Sequence, residues 1–185
     1  REVRDMMFLP SAVTLMNLGM GVLSLMFTFN HQVRWAAVFV LIAVVLDFLD
    51  GTMARKLNAS SDFGKELDSL ADLVSFGVAP VFLALGLLQP FQTPGFMSGL
   101  AIAAGILYIL CGAYRLARFN VLNISDYFIG VPITAAGGLM ALLVLSAPGL
   151  VGWVYVAFLI LLSYLMVSRI TVPKLLKRKA KDYTV

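Results

Sequence analysis

Hydrophobic positions along this chain come in long unbroken runs bounded by Pro, Gly and charge, at about 9–29, 34–56, 66–89, 96–117, 130–148 and 150–168. Each run is close to the twenty residues that a helix needs, at ~1.5 Å rise per residue, to cross ~30 Å of bilayer hydrocarbon. Strands of a membrane barrel would alternate, and stretches such as Phe39-Val40-Leu41-Ile42-Ala43-Val44-Val45-Leu46 do not. Helices also satisfy every backbone polar group internally, as a lipid surround demands. The pattern therefore predicts an all-α integral membrane protein, a bundle of six transmembrane helices. It reads as one membrane domain over 1–185, ending in a short basic tail at about 170–185. No internal repeat breaks the chain into halves, so the inverted-repeat design of many transporters is not expected, and no cleavable signal peptide is expected.

Composition agrees and narrows the chemistry. Hydrophobic residues make up 61% of the 185 and charged residues 13%, with a mean hydropathy of +0.93, which excludes soluble metabolic folds. The formal charge of +4 is not a nucleic-acid signature, because the basic residues stand at the ends of the apolar runs. With an even number of spans both termini share one side, and thirteen of the fourteen Lys and Arg residues fall there, Arg34 being the exception. The positive-inside rule makes that side cytoplasmic, for a multi-pass protein of the cell membrane. The tail Lys174-Leu175-Leu176-Lys177-Arg178-Lys179-Ala180-Lys181 is expected to enforce this topology or, alternatively, to grip anionic headgroups. A single cysteine, Cys111, and a single histidine, His31, exclude disulfides, cysteine metal cages and His-paired catalysis. Chemistry is left to carboxylates, Lys, Arg, hydroxyls and backbone.

Six of the ten acidic residues lie between Asp47 and Asp72, at the predicted cytoplasmic ends of the second and third spans. A carboxylate inside a span costs ~2.5–3.5 kcal/mol on insertion scales, so a group of them requires a compensating positive charge. Asp47 and Asp50 project about 60° apart on one helix, and Asp68 and Asp72 about 40° apart on the next. If the helices are neighbours, four carboxylates converge. Oxygen ligands without His or Cys suit Mg²⁺ or Mn²⁺, with Ca²⁺ also able to bind. Gly51, Ala54 and Gly64 leave space beside the acidic residues, and Arg55 next to that space suits a phosphate. Acidic residues within spans also build ion pathways in channels and transporters. Such a pathway would spread them along a route, whereas these gather at one end.

The pattern Asp47-x-x-Asp50-Gly51-x-x-Ala54-Arg55, eight residues, then Gly64-x-x-x-Asp68-x-x-x-Asp72 resembles the full signature of the CDP-alcohol phosphatidyltransferases, with no departure at its eight fixed positions. The resemblance implies transfer of a phosphatidyl-type group from a CDP-linked lipid, CDP-diacylglycerol or CDP-archaeol, to an alcohol, with release of CMP. It implies two divalent ions on Asp47, Asp50 and Asp68, with Asp72 both near the metal and acting as general base for the acceptor hydroxyl. It further implies that Gly51, Ala54 and Gly64 make room for cytidine and pyrophosphate, that Arg55 and Asn17 contact the CDP-lipid, and that the protein is a homodimer. Gly95-x-x-x-Gly99 and Ala101-x-x-x-Gly105 offer close-packing faces for such a dimer.

The signature does not choose the acceptor. Ser75-Phe76-Gly77-Val78-Ala79-Pro80, Tyr114-Arg115-Leu116-Ala117-Arg118-Phe119-Asn120 and Gly130-Val131-Pro132-Ile133-Thr134 resemble the phosphatidylserine synthase branch, which implies L-serine. Serine carries a carboxylate, and Arg115 with Arg118, about 60° apart on one helix, could hold it. Glycerol 3-phosphate or an inositol phosphate would welcome the same two cations, so these acceptors stay as the alternative.

Overall fold

The computed structural model describes residues 2–56, 61–88, 95–122, 128–168 and 171–172, with side chains within 10–53, 61–88, 95–121 and 130–168. Helix α1 (Glu2–Phe29) is followed by α2 (Val33–Lys56), α3 (Asp62–Asp72), a π-helical segment (Leu73–Val78), α4 (Ala79–Leu88), α5 (Phe96–Leu122), α6 (Ile133–Ser146) and α7 (Gly152–Val167). The fold is helical almost throughout. Its sole departure among the described residues is a two-residue antiparallel pairing of β1 (Phe128–Ile129) with β2 (Thr171–Val172).

Four stretches are long and apolar enough to cross a membrane: Pro10–Phe29, Val33–Met53, Asp62–Leu88 and Phe96–Val121. The third joins α3, the π-helical segment and α4 into one continuous rod. Helices α6 and α7 are apolar but shorter, 14 and 16 residues. The six predicted runs thus all become helical. The basic tail lies outside the described residues apart from 171–172.

Turn chemistry sets the pairing of α1 with α2. Gln32 N–H donates to the Phe27 carbonyl at 2.8 Å and His31 N–H to the Thr28 carbonyl at 3.0 Å, while His31 takes a left-handed φ of 58°. This is the Schellman end of a helix, with His in the place usually held by Gly. The reversal is tight, and α1 and α2 run against each other along their length. At the other end of α2, helix α3 begins on Ser61, whose Oγ accepts the Gly64 N–H at 3.0 Å. That N-cap is worth ~1 kcal/mol.

Between helices, large core side chains such as Phe76, Leu83, Tyr108 and Met140 are interleaved with small residues that allow close approach, as expected where lipid outside is as apolar as the core. Ala36, Ala37, Val40 and Ala43 form one buried stripe on α2. Large apolar side chains such as Leu15, Met26, Phe48, Leu110 and Ile160 point outward instead. A Cβ on Gly137 of α6 would stand 2.8 Å from the Phe76 Cα, so that crossing brings two backbones into direct contact. On α5, a Cβ on Gly105 would meet Val81 Cγ1 at 2.6 Å. The Ala101–Gly105 face is therefore spent inside the chain, which corrects its expected availability to a second copy. Gly95 and Gly99 have open space around them.

Candidate active site

The two acidic pairs do converge. Asp47 and Asp50 lie near the end of α2, Asp68 and Asp72 in the last two turns of α3, and α1 packs against both elements. Asp47, Asp50 and Asp68 each offer one carboxylate oxygen, and the three atoms lie within 4.8 Å of one another. Asp50 is only 4% exposed, and its Oδ2, like Oδ1 of Asp68, is buried without a hydrogen-bond partner among the described residues. Each pair of like charges at that separation repels by about 3.5 kcal/mol at an effective dielectric near 20. Orphaned oxygens and mutual repulsion are the two conditions that a divalent cation relieves, and the all-oxygen donor set matches Mg²⁺ or Mn²⁺.

Asp72 stands one turn further on and is handled differently. It is 7% exposed, and its Oδ1 accepts a 3.4 Å hydrogen bond from Nδ2 of Asn17, which is fully buried on α1. The Asn17 carbonyl accepts in turn from Ser75 Oγ at 3.0 Å. Gly21, one turn along α1, lies so close that a Cβ there would fall 2.5 Å from Ser75 Oγ. Residues of α1 thereby fix both the carboxylate of Asp72 and the helix just beyond it. The sequence reading assigned Asn17 to the CDP-lipid and missed this bond; Asn17 Oδ1, buried and unpartnered, is still free to accept from a ligand.

Beside these carboxylates opens a cavity of about 360 Å³ whose walls include Lys65, Asp68, Asp72, Arg115, Asn120 and Thr134. Asp68 and Asp72 thus face both the acidic trio and the cavity. Arg115 is 7% exposed and its Nε has no partner among the described residues. Its charge interacts with that of Asp72, and the unpartnered Nε leaves a buried donor that an anionic group could satisfy. Arg118 is half-buried nearby and is not part of the cavity wall. Asn120 reaches across to α3, donating to Ser69 Oγ at 3.0 Å. Lys65 pairs with Asp62 at 3.4 Å on an exposed surface, a contact of little energetic weight.

The expected nucleotide residues are placed less completely. Gly51 is half-buried on α2. Ala54 and Arg55 continue that helix, but their side chains lie outside the described residues. Gly64 has a local reason to be small: a Cβ there would approach the capping Ser61 Oγ to 3.2 Å.

A family model for CDP-alcohol phosphatidyltransferases matches residues 7–168, which takes in every element of this site. The chain belongs to that family. Among curated relatives of this phosphatidyltransferase, the CDP-diacylglycerol--serine O-phosphatidyltransferase of Bacillus subtilis is 39% identical over 184 residues, covering 96% of each chain. The protein of the same name from Methanocaldococcus jannaschii is 37% identical, covering 94% of this chain and 77% of its own. The archaetidylserine synthase of Methanothermobacter thermautotrophicus is 34% identical, covering 94% and 73%. Two of the three segments that resemble the serine branch contribute to the cavity wall, through Arg115, Leu116, Phe119 and Asn120 and through Pro132–Thr134. The third, Ser75–Pro80, forms most of the π-helical segment and enters α4.

Proposed function

We propose that this protein transfers the phosphatidyl group of a CDP-linked lipid, CDP-diacylglycerol or CDP-archaeol, to the hydroxyl of L-serine, releasing CMP. The observation that carries this reading is the shared wall: Asp68 belongs to the carboxylate trio and also lines the cavity holding Arg115, and Asp72, one turn on, lines that cavity within electrostatic reach of the trio. One substrate can meet the trio while the other fills the cavity. Serine as acceptor follows from the relatives' names and from Arg115, whose guanidinium would receive the serine carboxylate.

In this reading Asp47, Asp50 and Asp68 hold divalent metal, Mg²⁺ or Mn²⁺, with Asp72 close by. Metal bound there screens the diphosphate and stabilises charge on the departing CMP phosphate. Gly51, Ala54 and Gly64 make room for the nucleotide, with Arg55 on phosphate and Asn17 at its edge. Arg115, with Arg118 adding charge behind it, orients serine. Asp72, held by Asn17, takes the proton of the serine hydroxyl as the oxygen attacks phosphorus. One P–O bond forms to serine and one breaks to CMP. Cys, His and an activated Ser are absent from the motif, so the displacement is direct, with both substrates bound and inversion at phosphorus.

The same reading has α6 and α7 crossing the membrane with the four longer spans, both termini and the active site cytoplasmic, 1–185 acting as one domain, and a homodimer. The excess of Lys and Arg on one side supports the orientation, and the open Gly95 and Gly99 face offers close approach for a second copy. The test is product formation by purified protein from CDP-diacylglycerol, labelled serine and Mn²⁺. Phosphatidylserine and CMP should appear in equal amounts, vanish with excess EDTA, and be lost in Asp72→Asn while that variant still binds CDP-lipid. Turnover in EDTA, or near-normal turnover by Asp72→Asn, would overturn the mechanism.

A further inference from the structure

Pro80 lies in the same helical rod as Asp72, eight residues on. In an α-helix it would face the Phe76 carbonyl, four residues back, with no N–H to donate and with its ring pressed against that oxygen. Here the rod widens instead: over Leu73–Val78 it is π-helical, and Ala79 N–H reaches the Val74 carbonyl five residues back. The Phe76 carbonyl takes its donor from another helix, the hydroxyl of Tyr108 on α5, at 3.1 Å. Both Phe76 and Tyr108 are wholly buried. Across the same spot runs the α6 backbone, where a Cβ on Gly137 would lie 2.9 Å from the Phe76 carbonyl oxygen.

A π turn carries one residue more than an α turn, so it rotates one end of a helix against the other by about 100° relative to an unbroken α-helix. Asp72 abuts this turn and Asp68 lies one α turn before it. The turn thus sets the direction in which both carboxylates leave a rod whose other end is fixed by α4 in the core.

We infer that Tyr108 is a positioning residue for the acidic site: by donating to the Phe76 carbonyl, which Pro80 has no N–H to serve, it holds the π turn that keeps Asp68 and Asp72 in register with Asp47 and Asp50. The inference rests on the transferase reading only for its activity readout. Small residues leave room for this contact, because Gly105 and Gly112 flank Tyr108 on the face of α5 that meets Val81 and Ile133.

Tyr108→Phe keeps the ring and removes the donor. In nanodiscs, Mn²⁺ binding followed by electron paramagnetic resonance should weaken about tenfold, the scale of one buried hydrogen bond. The kcat for CMP release should fall at least as far, while KM for CDP-lipid moves less than about threefold. Pro80→Ala returns a backbone N–H to Phe76 and lets the turn close as α-helix. It should weaken Mn²⁺ binding by itself, and adding Tyr108→Phe to it should then cost less than about twofold. That non-additivity is what a merely space-filling tyrosine would not produce, and the same cycle read on thermal midpoints covers a poorly folded single variant. Parent-like Mn²⁺ binding by Tyr108→Phe, independent effects of the two substitutions, or a parent protein that binds no Mn²⁺ would each overturn the inference. A parent that binds Mn²⁺ but releases no CMP would fail the transferase reading alone and leave the cycle to decide this one.

Discussion

Arg115 and Arg118 stand one turn apart on α5, yet their surroundings differ. Arg115 is buried in the cavity wall beside Asp72 with an unpartnered Nε, whereas Arg118 is half-buried behind it. If Arg115 holds the serine carboxylate, Arg115→Ala loses a charge-assisted hydrogen bond worth ~1.5–3 kcal/mol, or roughly ten- to hundred-fold in serine KM. CDP-lipid affinity should not change. Arg118→Ala should raise serine KM by less than about fivefold, as expected of a charge acting at longer range. Steady-state kinetics with serine varied will separate the two, and equal effects would contradict the placement. The sequence treated this pair as equivalent because both project onto one helical face; helical projection gives direction but not depth. The acidic residues were more legible. Their spacing alone brought Asp47, Asp50 and Asp68 together, since i+3 and i+4 spacing fixes neighbours on a helix before any packing is known. Asn17 stands beside Asp72 in the structure, but that bond spans 55 positions, and no local pattern announces such a contact.

At the scale of elements, the six apolar runs were readable as helices because they do not alternate, and four of the resulting stretches are long enough to cross a bilayer, whereas the π-helical segment was not read at all. Its cause is visible in hindsight in Pro80, an imino acid within an apolar helical run, but the hydroxyl that completes it belongs to Tyr108 on another helix. Gly137 tells a similar story. It looks like one more small residue in Ala135-Ala136-Gly137-Gly138, yet it is where the α6 backbone rests on that of Phe76. Gly137→Ala places a carbon 2.8 Å from backbone that cannot yield, so it should destabilise the protein by about 1–3 kcal/mol. Gly99→Ala, with open space around it, should leave the thermal midpoint of the detergent-solubilised protein within a degree or so of the parent. A silent Gly137→Ala would contradict the packing of α6 on the π-helical segment.

For the whole molecule, an apolar exterior and a largely apolar core leave few buried polar groups among the described residues, and the charged ones, Asp50, Asp72 and Arg115, lie where α1, α2, α3 and α5 meet. Buried polar atoms in such a surround are costly unless they bind something. The unpartnered oxygens of Asp50 and Asp68 and the unpartnered Nε of Arg115 therefore describe one site of mixed charge, negative toward the trio and positive in the cavity. In the proposed reaction, metal and CDP-lipid would answer the first, and an anionic group on the acceptor would answer the second. That division predicts the order of acceptors. Serine should be used, ethanolamine, which lacks the carboxylate, should be poor, and the larger, doubly charged phosphates should lose to serine if the cavity is built for the amino acid. The most direct measurement is CMP release by the purified protein from CDP-diacylglycerol and Mn²⁺ with serine, glycerol 3-phosphate and inositol phosphate supplied singly and in competition. The account predicts CMP release with serine and little with either phosphate; glycerol 3-phosphate or inositol phosphate outcompeting serine would contradict it.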